Sequence, residues 1–119
     1  MSELDPTPEP RELRAPRGAR VMEIDWADGT TSRFPHLVLR ALCPCAHCQG
    51  HQGPIQWVDA EWDDRALEIG EIEEVGSYAI RMAWGDGHST GIYSYRYLKQ
   101  LGAIAERPIE DLRRARFGR

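Results

Sequence analysis

Three cysteines fall within six residues, in Cys43-Pro44-Cys45-Ala46-His47-Cys48, and a distant histidine closes the run Trp84-Gly85-Asp86-Gly87-His88. Thiolates are soft ligands that suit zinc or iron–sulfur chemistry over magnesium or calcium. Pro44 removes a backbone donor and fixes φ, so this segment is expected to be a knuckle and not a helix. Packing as small hydrophobes explains a lone buried cysteine, but poorly explains three beside a proline. An odd count argues against a disulfide framework and for reduced thiols in the cytosol. Three thiolates and one imidazole form the ligand set of a closed, four-coordinate zinc site, which offers substrate no open position.

Four histidines compete to complete that set. His47 adjoins Cys48, and neighbouring residues rarely reach one tetrahedral centre together. His36 lies a helical turn or two before the knuckle and reads as a surface residue. His51 follows Cys48 at a feasible spacing and would make a wholly local site. His88 sits just past a tight turn, where a rigid backbone gives its ring a fixed direction. Spacing alone leaves His51 and His88 level, with an iron–sulfur ligand set as the other alternative.

The elements that must hold these residues can be read from pattern. Met22, Ile24 and Trp26 alternate with acidic residues as a half-buried strand, and Asp28-Gly29 reads as a tight hairpin turn. Thr30 to Phe34 returns, and Pro35 opens a short helix to Leu42. Leu67 to Glu74 is a further strand. Tyr78, Ile80, Met82 and Trp84 mark the clearest strand, Asp86-Gly87 a second hairpin turn, and Thr90 to Tyr93 its return. Ser94 caps a helix to Leu101 that Gly102 ends, and Pro108 opens a last helix through about Phe117. Residues 1–18 hold Pro6, Pro8, Pro10, Pro16 and Gly18 with little apolar content and read as a disordered tail, leaving residues 19–119 as the domain. Trp26-Ala27-Asp28-Gly29 echoes Trp84-Gly85-Asp86-Gly87, each followed by a strand and a helix with a Leu-x-x-Leu pair. The expectation is a small, single α+β domain of twisted antiparallel strands with short helices. A metal on Cys43, Cys45, Cys48 and His88 would staple its two halves.

Composition narrows the functions. The 119 residues suffice for one core, but 29% are charged and mean hydropathy is −0.55, which describes a thin-cored domain that gains from a metal staple. Net charge is −4, which disfavours nucleic-acid binding. No apolar run of about 18 residues exists, so no membrane partner is expected, and the acidic N-terminus is unlike a signal peptide; a cytoplasmic protein is expected. No nucleophile motif, phosphate loop or dinucleotide fingerprint occurs, so an enzyme is not expected. Asp86 reads as a turn residue. Trp26, Trp84 and Tyr93 read as core, and Trp57 and Trp62, in an acidic irregular stretch, as an exposed site for a protein partner.

The segments Ile24 to Gly29, Leu39 to Cys48 and Gly76 to Tyr93 together resemble the N-terminal domain of gamma-butyrobetaine hydroxylase and its stand-alone bacterial relatives, a domain-of-unknown-function family. The resemblance covers about residues 20 to 103. It implies a zinc site of three cysteines and a histidine, which by position are Cys43, Cys45, Cys48 and His88, and so favours His88 over His51. The hydroxylase's chemistry belongs to a second domain, a double-stranded β-helix holding Fe(II) and 2-oxoglutarate, that has no counterpart here. A related domain is fused to Mrp-type P-loop ATPases that carry iron–sulfur clusters. The resemblance therefore implies a non-catalytic zinc module that meets a protein partner. Its alternatives are an accessory role in iron or iron–sulfur handling, or a partner domain of a 2-oxoglutarate-dependent oxygenase.

Overall fold

A computed structural model describes residues 7–50 and 53–118. Among the described residues, six strands form two antiparallel three-stranded sheets. The first holds β1 (Pro10–Arg14), β2 (Val21–Trp26) and β3 (Thr31–Pro35); the second holds β4 (Ile69–Val75), β5 (Ala79–Trp84) and β6 (Gly91–Ser94). Each sheet runs into a helix, α1 (His36–Ala41) after β3 and α3 (Tyr95–Gly102) after β6. A one-turn helix α2 (Ala46–Gln49) carries part of the knuckle, and α4 (Ile109–Arg114) closes the chain.

Alternation sets the inner faces. Met22, Ile24 and Trp26 of β2 point into the core, and so do Ile80, Met82 and Trp84 of β5. Each large apolar side chain removed from water contributes about 1.5–3 kcal/mol. Both hairpins use the same turn. The Gly29 N–H bonds the Trp26 carbonyl at 3.0 Å and the Gly87 N–H bonds that of Trp84 at 2.9 Å. The Trp26 N–H then bonds the Thr30 carbonyl and the Trp84 N–H that of His88, both at 2.8 Å. Only the glycine of each turn has positive φ, 90° at Gly29 and 97° at Gly87. These are three-residue loops ending in a left-handed glycine, and Asp28 and Asp86 keep negative φ.

Pairing registers fix which residues correspond between the halves. Ile24 lies opposite Ser32 and Met22 opposite Phe34; Met82 lies opposite Gly91 and Ile80 opposite Tyr93. The correspondence continues past the strands. The first helical N–H of α1, at His36, bonds the Arg20 carbonyl, and that of α3, at Tyr95, bonds the Tyr78 carbonyl, both at 2.8 Å. His36 thus answers Tyr95, Arg40 answers Lys99, and Cys43 answers Gly102.

Each half places its helix on the other half's sheet. Tyr95 meets Trp26 edge-on with ring centroids 6.4 Å apart, and His36 meets Trp84 edge-on at 6.1 Å. A Cβ built on Gly102 would lie 2.4 Å from Ser32 Oγ, and one on Gly91 would lie 2.7 Å from Cys43 Sγ. Both glycines exist to let the opposite half approach.

Several expectations need correction. Residues 10–14, read as part of a disordered tail, form β1, with Leu13 paired to Ile24. Prolines are tolerated on an edge strand, and Arg14 latches β1 to β2 through Glu23 at 3.1 Å and Asp25 at 2.7 Å. His36, read as a surface residue, is 2% exposed, because Pro35 directs α1 inward. Trp57 and Trp62 are half-buried, not exposed. Trp57 packs against the core, and Trp62 covers Arg40. Among the described residues, the exposed large apolar side chains are Tyr78, Ile92 and Ile109. The last helix stops at Arg114, and Phe117 instead pairs with Ile55 as an isolated bridge.

Candidate metal centre

The knuckle begins where α1 ends. The Cys43 N–H bonds the Arg40 carbonyl at 3.3 Å, and Pro44 then turns the chain out of the helix. Contrary to the expectation of a knuckle without helix, Cys48 lies within α2, for which Cys45 is the N-cap. The Gln49 side chain ties this turn down by donating to the carbonyls of Cys43 at 3.0 Å and Gln56 at 2.9 Å. Across from it, the second hairpin delivers His88.

His88 Nε2 lies 3.5 Å from Cys43 Sγ, 3.7 Å from Cys45 Sγ and 3.5 Å from Cys48 Sγ. One imidazole nitrogen has a single proton or a single lone pair, so it cannot hydrogen-bond three sulfurs at once. All four ligand atoms lie within 4.8 Å of one another. Tetrahedral zinc, with sulfur at about 2.3 Å and nitrogen at about 2.0 Å, separates those two atoms by about 3.5 Å. The residues present therefore fit such an ion. His51 lies outside the described residues. His47 stands beside His88 with ring centroids 6.0 Å apart, and His36 Nδ1 faces the Leu67 carbonyl at 2.9 Å.

Burial divides the ligands. Cys43 is fully buried, and Cys45, Cys48 and His88 are half-exposed. Burial pushes the Cys43 thiol well up. At Cys45 burial also raises the thiol, but hydrogen bonds led by the Thr90 hydroxyl outweigh it, and the net shift is downward. Burial and then the charge of Arg40 lower His88, which keeps its imidazole neutral, the form that binds a metal.

Pattern reading missed Arg40 and undervalued Asp86. Arg40 is 6% exposed. Its two terminal nitrogens donate to the two Asp86 oxygens at 3.0 Å each, and Nη1 also reaches the Ala66 carbonyl at 3.0 Å. The guanidinium lies over two indoles, 4.8 Å from the centre of the Trp62 ring and 5.6 Å from that of the Trp84 ring. Arg40 holds the Asp86 carboxyl below its usual range. Asp86 Oδ1 in turn accepts the His88 N–H at 3.2 Å. A buried arginine joined to a residue 46 positions away leaves no periodic trace in a sequence.

The family model described as gamma-butyrobetaine hydroxylase-like, N-terminal, matches residues 13–99, and the chain belongs to that family. A crystal structure of a protein of unknown function from Acidithiobacillus ferrooxidans, itself assigned to a domain-of-unknown-function family, is similar at 40% identity and a TM-score of 0.63, covering 80% of this chain and 93% of that one. A protein solved in solution by NMR shares 28% identity with a TM-score of 0.70, covering 94% of this chain and 82% of its own. A second NMR structure, at 20% identity and a TM-score of 0.68, shares the fold.

Proposed function

We propose that this chain is a zinc-stapled, non-catalytic module that works through a protein partner, with Cys43, Cys45, Cys48 and His88 as the metal ligands. The observation that carries the reading is the convergence of three sulfurs on one imidazole nitrogen at 3.5–3.7 Å. Four protein ligands fill a tetrahedron and leave no position for an activated water, so the site favours structure over turnover. The thiols call for a reducing compartment such as the cytoplasm. Among the described residues no helix is long and apolar enough to cross a membrane. The net charge of −4 speaks against nucleic acid.

One observation favours a second reading, accessory handling of iron or an iron–sulfur cluster. Cys45, Cys48 and His88 are half-exposed, so an incoming thiolate can reach the ion. Metal analysis with a visible spectrum separates the two. Zinc without visible absorption supports the staple; iron with sulfide and broad visible absorption supports handling. A thermal melt with and without a strong chelator at neutral pH tests the structural role. The staple reading expects the chelated protein to melt far lower, and an unchanged melt after metal loss overturns it.

A further inference from the structure

The two halves of the fold carry the same clasp, and only one copy sits at the cysteines. In the first copy, Lys99 of α3 reaches the other half's hairpin and donates to Asp28 Oδ2 at 2.8 Å. Asp28 Oδ1 accepts the Thr30 N–H at 2.9 Å. The Lys99 ammonium lies 5.0 Å from the centre of the Trp26 ring. In the second copy, Arg40 replaces Lys99, Asp86 replaces Asp28, Trp84 replaces Trp26, and the residue whose N–H the carboxylate accepts is His88. One clasp orders a threonine at a hairpin end; the other orders a metal-ligating histidine.

The second copy is also built more firmly. The Lys99 side chain is 31% exposed and that of Arg40 only 7%. A guanidinium engages both carboxylate oxygens in a fixed plane, where an ammonium is a point charge that swivels. Arg40 also lies near a second ring, that of Trp62, and makes three bonds, two to Asp86 and one to the Ala66 carbonyl, where Lys99 makes two, to Asp28 and to Thr30 Oγ1 at 2.6 Å. This firmness has a local cost. Trp26 Nε1 donates to Ser32 Oγ at 2.8 Å, but the residue answering Ser32 is Gly91, whose missing side chain makes room for Cys43 Sγ. Trp84 Nε1 is left buried without a protein partner among the described residues, as are Arg40 Nε and His36 Nε2. The indole of the metal half gives up the hydrogen bond that its counterpart keeps.

We propose that the Arg40–Asp86 pair, its guanidinium over the Trp62 and Trp84 rings, positions His88 for the metal, and that it is a specialised copy of the Lys99–Asp28 clasp, which serves structure alone. The proposal rests on the ligand assignment made above. Arg40 and Asp86 act through His88 and are positioning residues. Outer-shell partners of metal ligands typically change metal affinity by about 10- to 100-fold.

The test uses the whole chain loaded with Zn²⁺ for affinity, by competition against a chromophoric chelator, and with Co²⁺ for its visible spectrum. His88→Ala supplies the reference spectrum for loss of the imidazole. Arg40→Met keeps an unbranched chain beside the rings without charge, and Asp86→Asn keeps an oxygen for the His88 N–H while losing the ion pair. Both are expected to weaken Zn²⁺ by about 10- to 100-fold and to move the Co²⁺ spectrum toward that of His88→Ala. Arg40→Lys should recover part of both. Lys99→Met and Asp28→Asn should lower the melting temperature and leave affinity and spectrum at wild-type values. Wild-type affinity and spectrum in Arg40→Met or Asp86→Asn overturn the proposal. Equal metal loss in Lys99→Met also overturns it, since the effect would then be general destabilisation. A wild-type chain that takes up neither ion overturns the ligand assignment instead.

Discussion

Cys43 and Cys45 answer different demands. Cys43 is sealed between α1 and Gly91, so its sulfur is both a candidate ligand and a packing atom. Cys45 is half-exposed and lies at the edge of the core, where Cys43 is fully buried within it, which makes Cys45 the cleaner probe of the metal. Replacing Cys45 by Ser should release zinc and remove about 2–3 kcal/mol, a fall in melting temperature of roughly 8–12 °C for a domain of this size. In chelated protein the same change should move the melt only slightly. Calorimetry on the four samples checks both statements, and a large drop in chelated protein would assign the loss to packing.

His36 offers a second test, independent of the metal. Burial lowers its pKa, with the charge of Arg20 adding to that and the Leu67 carbonyl opposing it. The folded protein therefore prefers neutral imidazole more than the unfolded chain does. Its contribution is complete above the unfolded value, near pH 6.5, and is lost as pH falls toward the lower folded value. His36→Gln keeps a side-chain donor for the Leu67 carbonyl and cannot titrate. Urea melts of metal-loaded protein between pH 8 and pH 5.5 should show a shallower decline for this variant than for wild type. Parallel declines would mean that His36 carries no pH dependence.

The helices and strands that hold the site were readable to different depths. β2 and β5 declare themselves by alternation, and the helix bounds near Pro35 and Ser94 follow from turn and cap chemistry. β1 was hidden because Pro10 and Pro16 signal a loop; its strand state comes from pairing with β2, which is tertiary information. Cys43, Cys45 and Cys48 are evident from type and spacing, and His88 needed the family resemblance to separate it from His51. Arg40 and Asp86 could not be found by pattern, because an ion pair between a helix and a distant hairpin has no period.

The exchanged helices make a prediction about two glycines. Gly91→Ala drives a methyl group to within 2.7 Å of Cys43 Sγ and 3.0 Å of the Tyr93 ring. Gly102→Ala drives one to 2.4 Å from Ser32 Oγ. Overpacking of this kind costs about 1–3 kcal/mol. Both variants should melt lower, but only Gly91→Ala should also weaken zinc, since it alone displaces a ligand. Chelator competition on the two proteins decides it, and equal affinities would show that Cys43 adjusts freely.

Because His36 of α1 packs on Trp84 of the second sheet and Tyr95 of α3 on Trp26 of the first, each half covers part of the other's apolar face. The molecule is in effect a dimer written into one polypeptide, its two subunits held at high effective concentration by the connection between α2 and β4. Cutting that connection between Ala60 and Glu61, both exposed, would leave Cys43, Cys45 and Cys48 on one fragment and His88 on the other. The metal proposed to staple a single chain would then become the bridge between two. Co-expressed fragments 1–60 and 61–119 should co-purify with metal and separate when a chelator removes it. Intramolecular stability would thereby be converted into a metal-gated association, a property latent in the symmetry of the fold.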